Sequence, residues 1–137
     1  MKAGVGGLAR HENDTYHQVS EDTANVPGNP WFVCTAWLAQ RYVARARTPE
    51  ELQPAREIFA WIASRALPSG ILAEQVNPYT DQPPSVSPLT WSHAEFSTAV
   101  LDYVDKLSGL TRCTARGMPR HPRRRHEHAP EAVGSVP

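Results

Sequence analysis

The stretch "GNPWFVCTAWLAQRYVARA", residues 28–46, constrains the fold more than any other part of the chain. Trp31, Phe32, Val33, Cys34, Ala36, Trp37, Leu38 and Val43 leave its first half almost without a polar face. A helix apolar nearly all round needs protein on several sides, so these residues predict an inner helix. Asn29 suits its N-cap, and Pro30 suits the first helical position, where a backbone N–H would have had no helical partner.

Two more helices follow from the same kinds of signal. In "TPEELQPAREIFAWIASRAL", Thr48 reads as a cap, Pro49 as the first position and Glu51 as the far side of a capping box. Leu52, Ala55, Phe59, Ile62 and Ala66 share one face, with Gln53, Arg56 and Glu57 on another, so this helix covers a core on one side only. Pro54 removes a backbone donor, which predicts a bend or a later start there. The third helix opens at "SHAE", where Ser92 and Glu95 have capping-box spacing. Phe96, Ala99, Val100, Tyr103, Val104 and Leu107 make its apolar face, and Gly109 suits its end. The expected class is therefore all-α.

Connections set the geometry. The link around Thr48-Pro49 is short, making helices one and two antiparallel neighbours. If helix three runs back beside helix two, the segment before Asn29 and the Pro-rich segment 67–91 meet at one end of the bundle. Arg10, Asp14, Trp31, Glu74, Ser85 and Trp91 would then face one cleft. Within it, Glu74 reads either as a solvated loop carboxylate or as a general base in a loop stiffened by prolines. Trp91 offers a flat face for a sugar ring, and Ser85 a hydroxyl to orient the carboxylate.

At 137 residues the chain is long enough for one domain, and its net charge of zero hides an asymmetry. Residues 1–110 hold eight Lys/Arg against twelve Asp/Glu, whereas 111–137 hold six Arg against two Glu. This division predicts a globular part followed by a basic, disordered tail rich in Pro, Arg and His. His121, His126 and His128 beside "RRR" read as part of that solvated tail rather than as a metal or nucleic-acid site. Cys34 reads as a buried, inert thiol and Cys113 as a residue of the polar tail, with no zinc-like spacing and no disulfide framework. No run approaches about 20 apolar residues, and "MKAGVGGLARHEND" lacks the apolar core of a signal peptide. The expectations are no membrane span, no nucleic-acid partner, no metal or other cofactor, and the cytoplasm as the default compartment.

"GNPWFVCTAWLAQ", then "SGILAEQ" about forty residues on, then "SPLTWSHAEF", resemble the end of the catalytic domain of glycoside hydrolase family 15, the glucoamylase and glucodextranase family. "GGLARHENDTY" resembles its Arg-containing loop, with His11 where an aromatic Tyr is usual. The resemblance spans about residues 4–107, so 1–110 is expected to be the C-terminal part of such a domain and 111–137 to lie outside it. It implies an (α/α)6 barrel of six inner and six outer helices, of which this chain supplies about three. It also implies that Glu74 is the general base, with Gln75 beside it and Ser85 bonded to it. Trp31 and Trp91 would line sugar subsites, Arg10 would bind substrate, Asp14 matches the acidic residue four positions later, and Asp14, Gln75 and Ser85 are expected with these among the substrate-binding residues. Tyr16 matches a family aromatic and reads as loop packing.

The implied reaction is inverting hydrolysis of α-glucosidic bonds in glucans or oligosaccharides, with the loop reading closer to the glucoamylase branch than to trehalose hydrolysis. The family's general acid lies upstream, in a motif this sequence does not contain. Leaving-group protonation, worth about 10²–10⁴-fold, would then be missing, and the chain would be inactive alone unless a complementing chain supplied the rest. A reading of a different class is a non-catalytic helical module that binds a sugar or a partner protein through the same cleft.

Overall fold

The structure is a computed structural model that describes residues 6–116. Among these it is all-α: α1 (Phe32–Arg45), α2 (Gln53–Ser64) and α3 (Thr90–Arg116), with a single 3-10 turn, Glu50–Leu52, leading into α2. Extended pairing is confined to two isolated bridges, Leu8 with Trp31 and Trp31 with Gln75.

Two buried clusters fix the helix directions. One joins Phe32 and Ala36 of α1 to Ile62 of α2 and Ala99 of α3, with Leu72, Ala73 and Val76 of the following loop. The other joins Ala39 and Val43, later in α1, to Leu52 and Ala55 at the start of α2 and Leu110 late in α3. Hence α2 runs antiparallel to α1 and α3 runs parallel to it. Both pack mainly on α1, the expected inner helix, whose residues Phe32–Ala36 are all buried. α2 and α3 meet through Phe59, whose ring sits 6.0 Å from Phe96 and 5.7 Å from Tyr103, edge-on to both. Leu52 and Ile62 are fully buried, and each such side chain contributes about 1.5–3 kcal/mol relative to exposure.

The helix ends differ from the sequence expectations in instructive ways. α1 starts at Phe32, not Pro30, because Trp31 is held extended between two loops. The Trp31 N–H donates to the Leu8 carbonyl (2.8 Å), the Val76 N–H to that of Pro30 (2.9 Å) and the Phe32 N–H to that of Glu74 (3.2 Å). Asn29 is therefore no cap. It is 1% exposed, and its amide donates to the His17 carbonyl and to Gln75 Oε1, both at 2.7 Å, while its Oδ1 accepts the Val19 N–H. α2 starts late, at Gln53, with Pro54 in its first turn as expected. α3 passes through Gly109 and extends to Arg116, the last described residue, and a Cβ at that glycine would meet nothing within 4 Å. The expected start of the tail at 111 thus falls inside a helix, and residues 117–137 lie outside the described part.

Loop packing is close on the side where the two long segments meet. Gly7 has φ +75°, and a Cβ there would lie 2.8 Å from the Trp61 ring and 2.9 Å from Pro30 Cβ. Ser20 is hydrogen-bonded to the Tyr79 hydroxyl, joining the first loop to the second. No helix among the described residues is long and apolar enough to cross a membrane.

Candidate functional site

The two loops and the start of α1 enclose a cavity of about 520 Å3, lined by Arg10, Tyr16, Trp31, Val33, Cys34, Trp37, Glu74 and Trp91. Four aromatic side chains, one cation and one carboxylate make an apolar recess with a few polar groups converging on it, the usual make-up of a small-ligand site.

Glu74 enters this cavity from the loop after α2. Its backbone is fixed on both sides, the N–H donating to the Val86 carbonyl (2.9 Å) and the carbonyl accepting from Phe32. Its carboxylate is divided in function. Oε2 accepts from Ser85 Oγ at 2.9 Å and from Gln75 Nε2 at 3.2 Å. Oε1 has no protein partner among the described residues. One oxygen is thus anchored and the other is free for water or a ligand.

Arg10 stands opposite as the cation. Its guanidinium makes a two-pronged pair with Asp14, Nε to Oδ2 at 2.9 Å and Nη2 to Oδ1 at 2.7 Å, the geometry that carboxylates select arginine for. It also lies 4.3 Å from the Trp31 ring centroid and 4.9 Å from that of Tyr16, which adds cation–π attraction. Asp14 is 1% exposed, and the Arg10 hydrogen bonds outweigh its burial, holding its carboxyl below the usual carboxylate range. Asp14 raises the Arg10 pKa in turn. Gly28 makes this fit: a Cβ there would lie 2.8 Å from Asp14 Cβ.

A match along most of the chain decides what this site belongs to: residues 2–101 match glycosyl hydrolases family 15. The chain is a member of glycosyl hydrolase family 15. An uncharacterized glycosyl hydrolase of Methanocaldococcus jannaschii is 30% identical over 105 residues, covering 70% of this chain and 15% of that protein. The family 15 chain therefore spans a small part of this relative's length. No solved structure matches it.

The residues singled out in the sequence of this family 15 chain fall into two sets. Arg10, Trp31, Glu74 and Trp91 line the cavity. Asp14, Gln75 and Ser85 stand behind it. Gln75, expected among the substrate-binding residues, is wholly buried, its amide engaged by Asn29 and Glu74, and it reaches the cavity only through Glu74. Two aromatics had been placed elsewhere. Tyr16, expected as loop packing, is 44% exposed and lines the cavity, and so does Trp37, expected in the core of α1 and 45% exposed. Trp37 meets Trp91 edge-on with ring centroids 5.8 Å apart. A signal existed for Trp37: it shares a helix face with Val33 and Cys34, four and three residues earlier, and all three line the cavity. For Tyr16 the signal was its match to a family aromatic and not a pattern, because loop geometry carries no periodicity.

Cys34 is buried as expected, and burial pushes its thiol pKa up. His93, in the first turn of α3, accepts the Leu72 N–H on its Nε2 at 2.9 Å. Among the described residues no group of three or more His, Cys, Asp or Glu is placed to hold a metal ion. A larger recess of about 940 Å3 lies at the other end of α1, lined by Arg41, Arg45, Arg47, Lys106 and Glu51 among others. Lys106 there donates to the Ala44 carbonyl and Glu51 accepts the Arg47 N–H. Those contacts complete helix ends, and the recess contains no tryptophan, so the aromatic cavity is the candidate site.

Proposed function

We propose that this chain carries the general-base half of a glucoamylase-like site, which hydrolyses α-glucosidic bonds of glucans or oligosaccharides with inversion. The observation that supports this reading most is the Glu74 carboxylate: one oxygen held by Ser85 and Gln75, the other unpartnered in an aromatic-lined cavity. A base that activates water needs a fixed position and a free lone pair, and Glu74 has both. Trp37, Trp91 and Tyr16 give apolar faces for sugar rings, Trp31 backs the cavity beneath Arg10, and Arg10 gives N–H donors for sugar hydroxyls.

Inversion also needs a general acid about 6.5–9.5 Å from the base, with room for the attacking water between them. Glu74 is the one carboxylate lining the cavity among the described residues, since Asp14 is engaged by Arg10 behind it. The acid therefore has to come from other parts of the fold, in the same polypeptide or in a complementing chain, and the stretch described here is inactive alone. Its three helices are about a quarter of the twelve in the implied (α/α)6 barrel. Residues 1–110 are read as the C-terminal part of that barrel, with 111–137 outside it.

The test joins this chain to the remaining part of a family 15 domain. In that assembly Glu74→Gln is expected to lower the rate at least ~100-fold with little change in maltotriose affinity, and the first product seen by NMR is the β-anomer. An unchanged rate would remove Glu74 from the mechanism. A lone carboxylate in an aromatic cavity also suits a non-catalytic sugar-binding module. That reading prevails if the chain binds maltotriose and no assembly containing it hydrolyses glucan.

A further inference from the structure

We infer that His93, with Ser92 beside it, is a positioning residue for Glu74: the first turn of α3 sets where the carboxylate sits by gripping the two residues before it. This rests on the reading of Glu74 as the working group of a sugar site. The Leu72 N–H donates to His93 Nε2 at 2.9 Å, and Ser92 Oγ donates to the Ala73 carbonyl at 2.7 Å in a fully buried bond. The Leu89 N–H, just before α3, donates to the Leu72 carbonyl at 3.0 Å.

Ser92 and Glu95 have the spacing of a capping box, which would have turned both side chains onto the end of their own helix. They do not form one. Ser92 reaches out to Ala73, while Glu95 accepts the Trp91 indole N–H at 3.1 Å. α3 begins at Thr90, so Ser92 lies inside its first turn and its hydroxyl holds the loop that carries Glu74. The need is physical: residues 72–74 belong to no helix or strand that could take their backbone polar groups. Leu72 N–H has no backbone acceptor among the described residues, and an unmet buried N–H is costly. His93 supplies the acceptor as its Nδ1–H tautomer, with Nε2 bare. Leu72 and Ala73 directly precede Glu74 in the chain, so a backbone rotation at either carries Glu74 with it. A displacement near 1 Å costs on the order of 10²-fold in a catalytic geometry.

The experiment uses the full chain with 13C-labelled Glu carboxyls, the Glu74 signal being assigned by its loss in Glu74→Gln. His93→Leu is expected to move or broaden that signal, to remove hydrogen-exchange protection at the Leu72 amide, and to weaken maltotriose binding roughly tenfold. His93→Gln, whose side-chain oxygen can accept the same N–H, recovers most of each. A folded His93→Leu protein with an unmoved Glu74 signal and unchanged affinity overturns the proposal and leaves His93 a merely structural residue. If His93→Leu does not fold, Ser92→Ala decides by the same three readings. If no variant at Trp31, Trp91 or Arg10 changes maltotriose binding, the sugar-site reading fails by itself, while the Glu74 signal and Leu72 exchange still decide the positioning.

Discussion

Asp14 is nearly closed off from water yet remains a carboxylate, because the Arg10 guanidinium meets both of its oxygens. Its folded pKa lies below the ordinary value, so the stabilisation from this pair is present above about pH 4 and is lost as pH falls through the depressed value. Arg10, shifted upward, stays charged throughout that range. Asp14→Asn is expected to lower the melting temperature at pH 7 by roughly 5 °C, the shift that about 1 kcal/mol gives in a domain of this size. The gap from wild type should close as the melts are repeated toward pH 3. A gap independent of pH would mean that the charge of Asp14 is not what matters. At this scale the sequence supplied the right residues but not their depth: Arg10 and Asp14 were legible as residues of one cleft but not as an ion pair, and the wholly buried Gln75 could not be told from a cavity residue beside Glu74.

Helix existence was legible and helix ends were not. The apolar stripes found α1, α2 and α3, since periodicity reports a buried face directly. End signals are shorter and other partners compete for them. Thr48 Oγ1 does accept the Glu51 N–H, at 3.4 Å, but the Glu51 carboxylate goes to the Arg47 N–H rather than closing the expected box. Gly109 looked like a stop and is an interior residue of a 27-residue helix. A Cβ at Gly109 would meet nothing within 4 Å, so Gly109→Ala is expected to stabilise the chain by about 0.5–1 kcal/mol, as glycine inside a helix is costly by that amount. Urea unfolding measures it, and a loss of stability would show that α3 needs the freedom of that glycine.

For the molecule as a whole, three helices enclose a core but do not cover every apolar face. Trp37 and Trp91 are about half exposed, and Leu101 and Val104, one turn apart on α3, are 69% and 51% exposed. In a longer family 15 protein, further helices are expected to cover such faces. The chain alone should therefore self-associate as its concentration rises, and Leu101→Lys with Val104→Lys should abolish this in sedimentation runs without changing maltotriose affinity. A wild-type chain that stays monomeric at high concentration would count against the faces being uncovered.

By itself the sequence determined which segments become helices, that α1 lies inside, and the residues that identify the family, because these depend on local periodicity and on residue identity. Tertiary structure alone decided what those residues meet. It drew Asn29 away from its helix to bind Gln75, turned Ser92 and His93 outward onto the Glu74 loop, and opened Tyr16 and Trp37 to a cavity. The reason is that hydrogen-bond partners and exposure are set by chain segments far apart in sequence, whose approach no local pattern encodes.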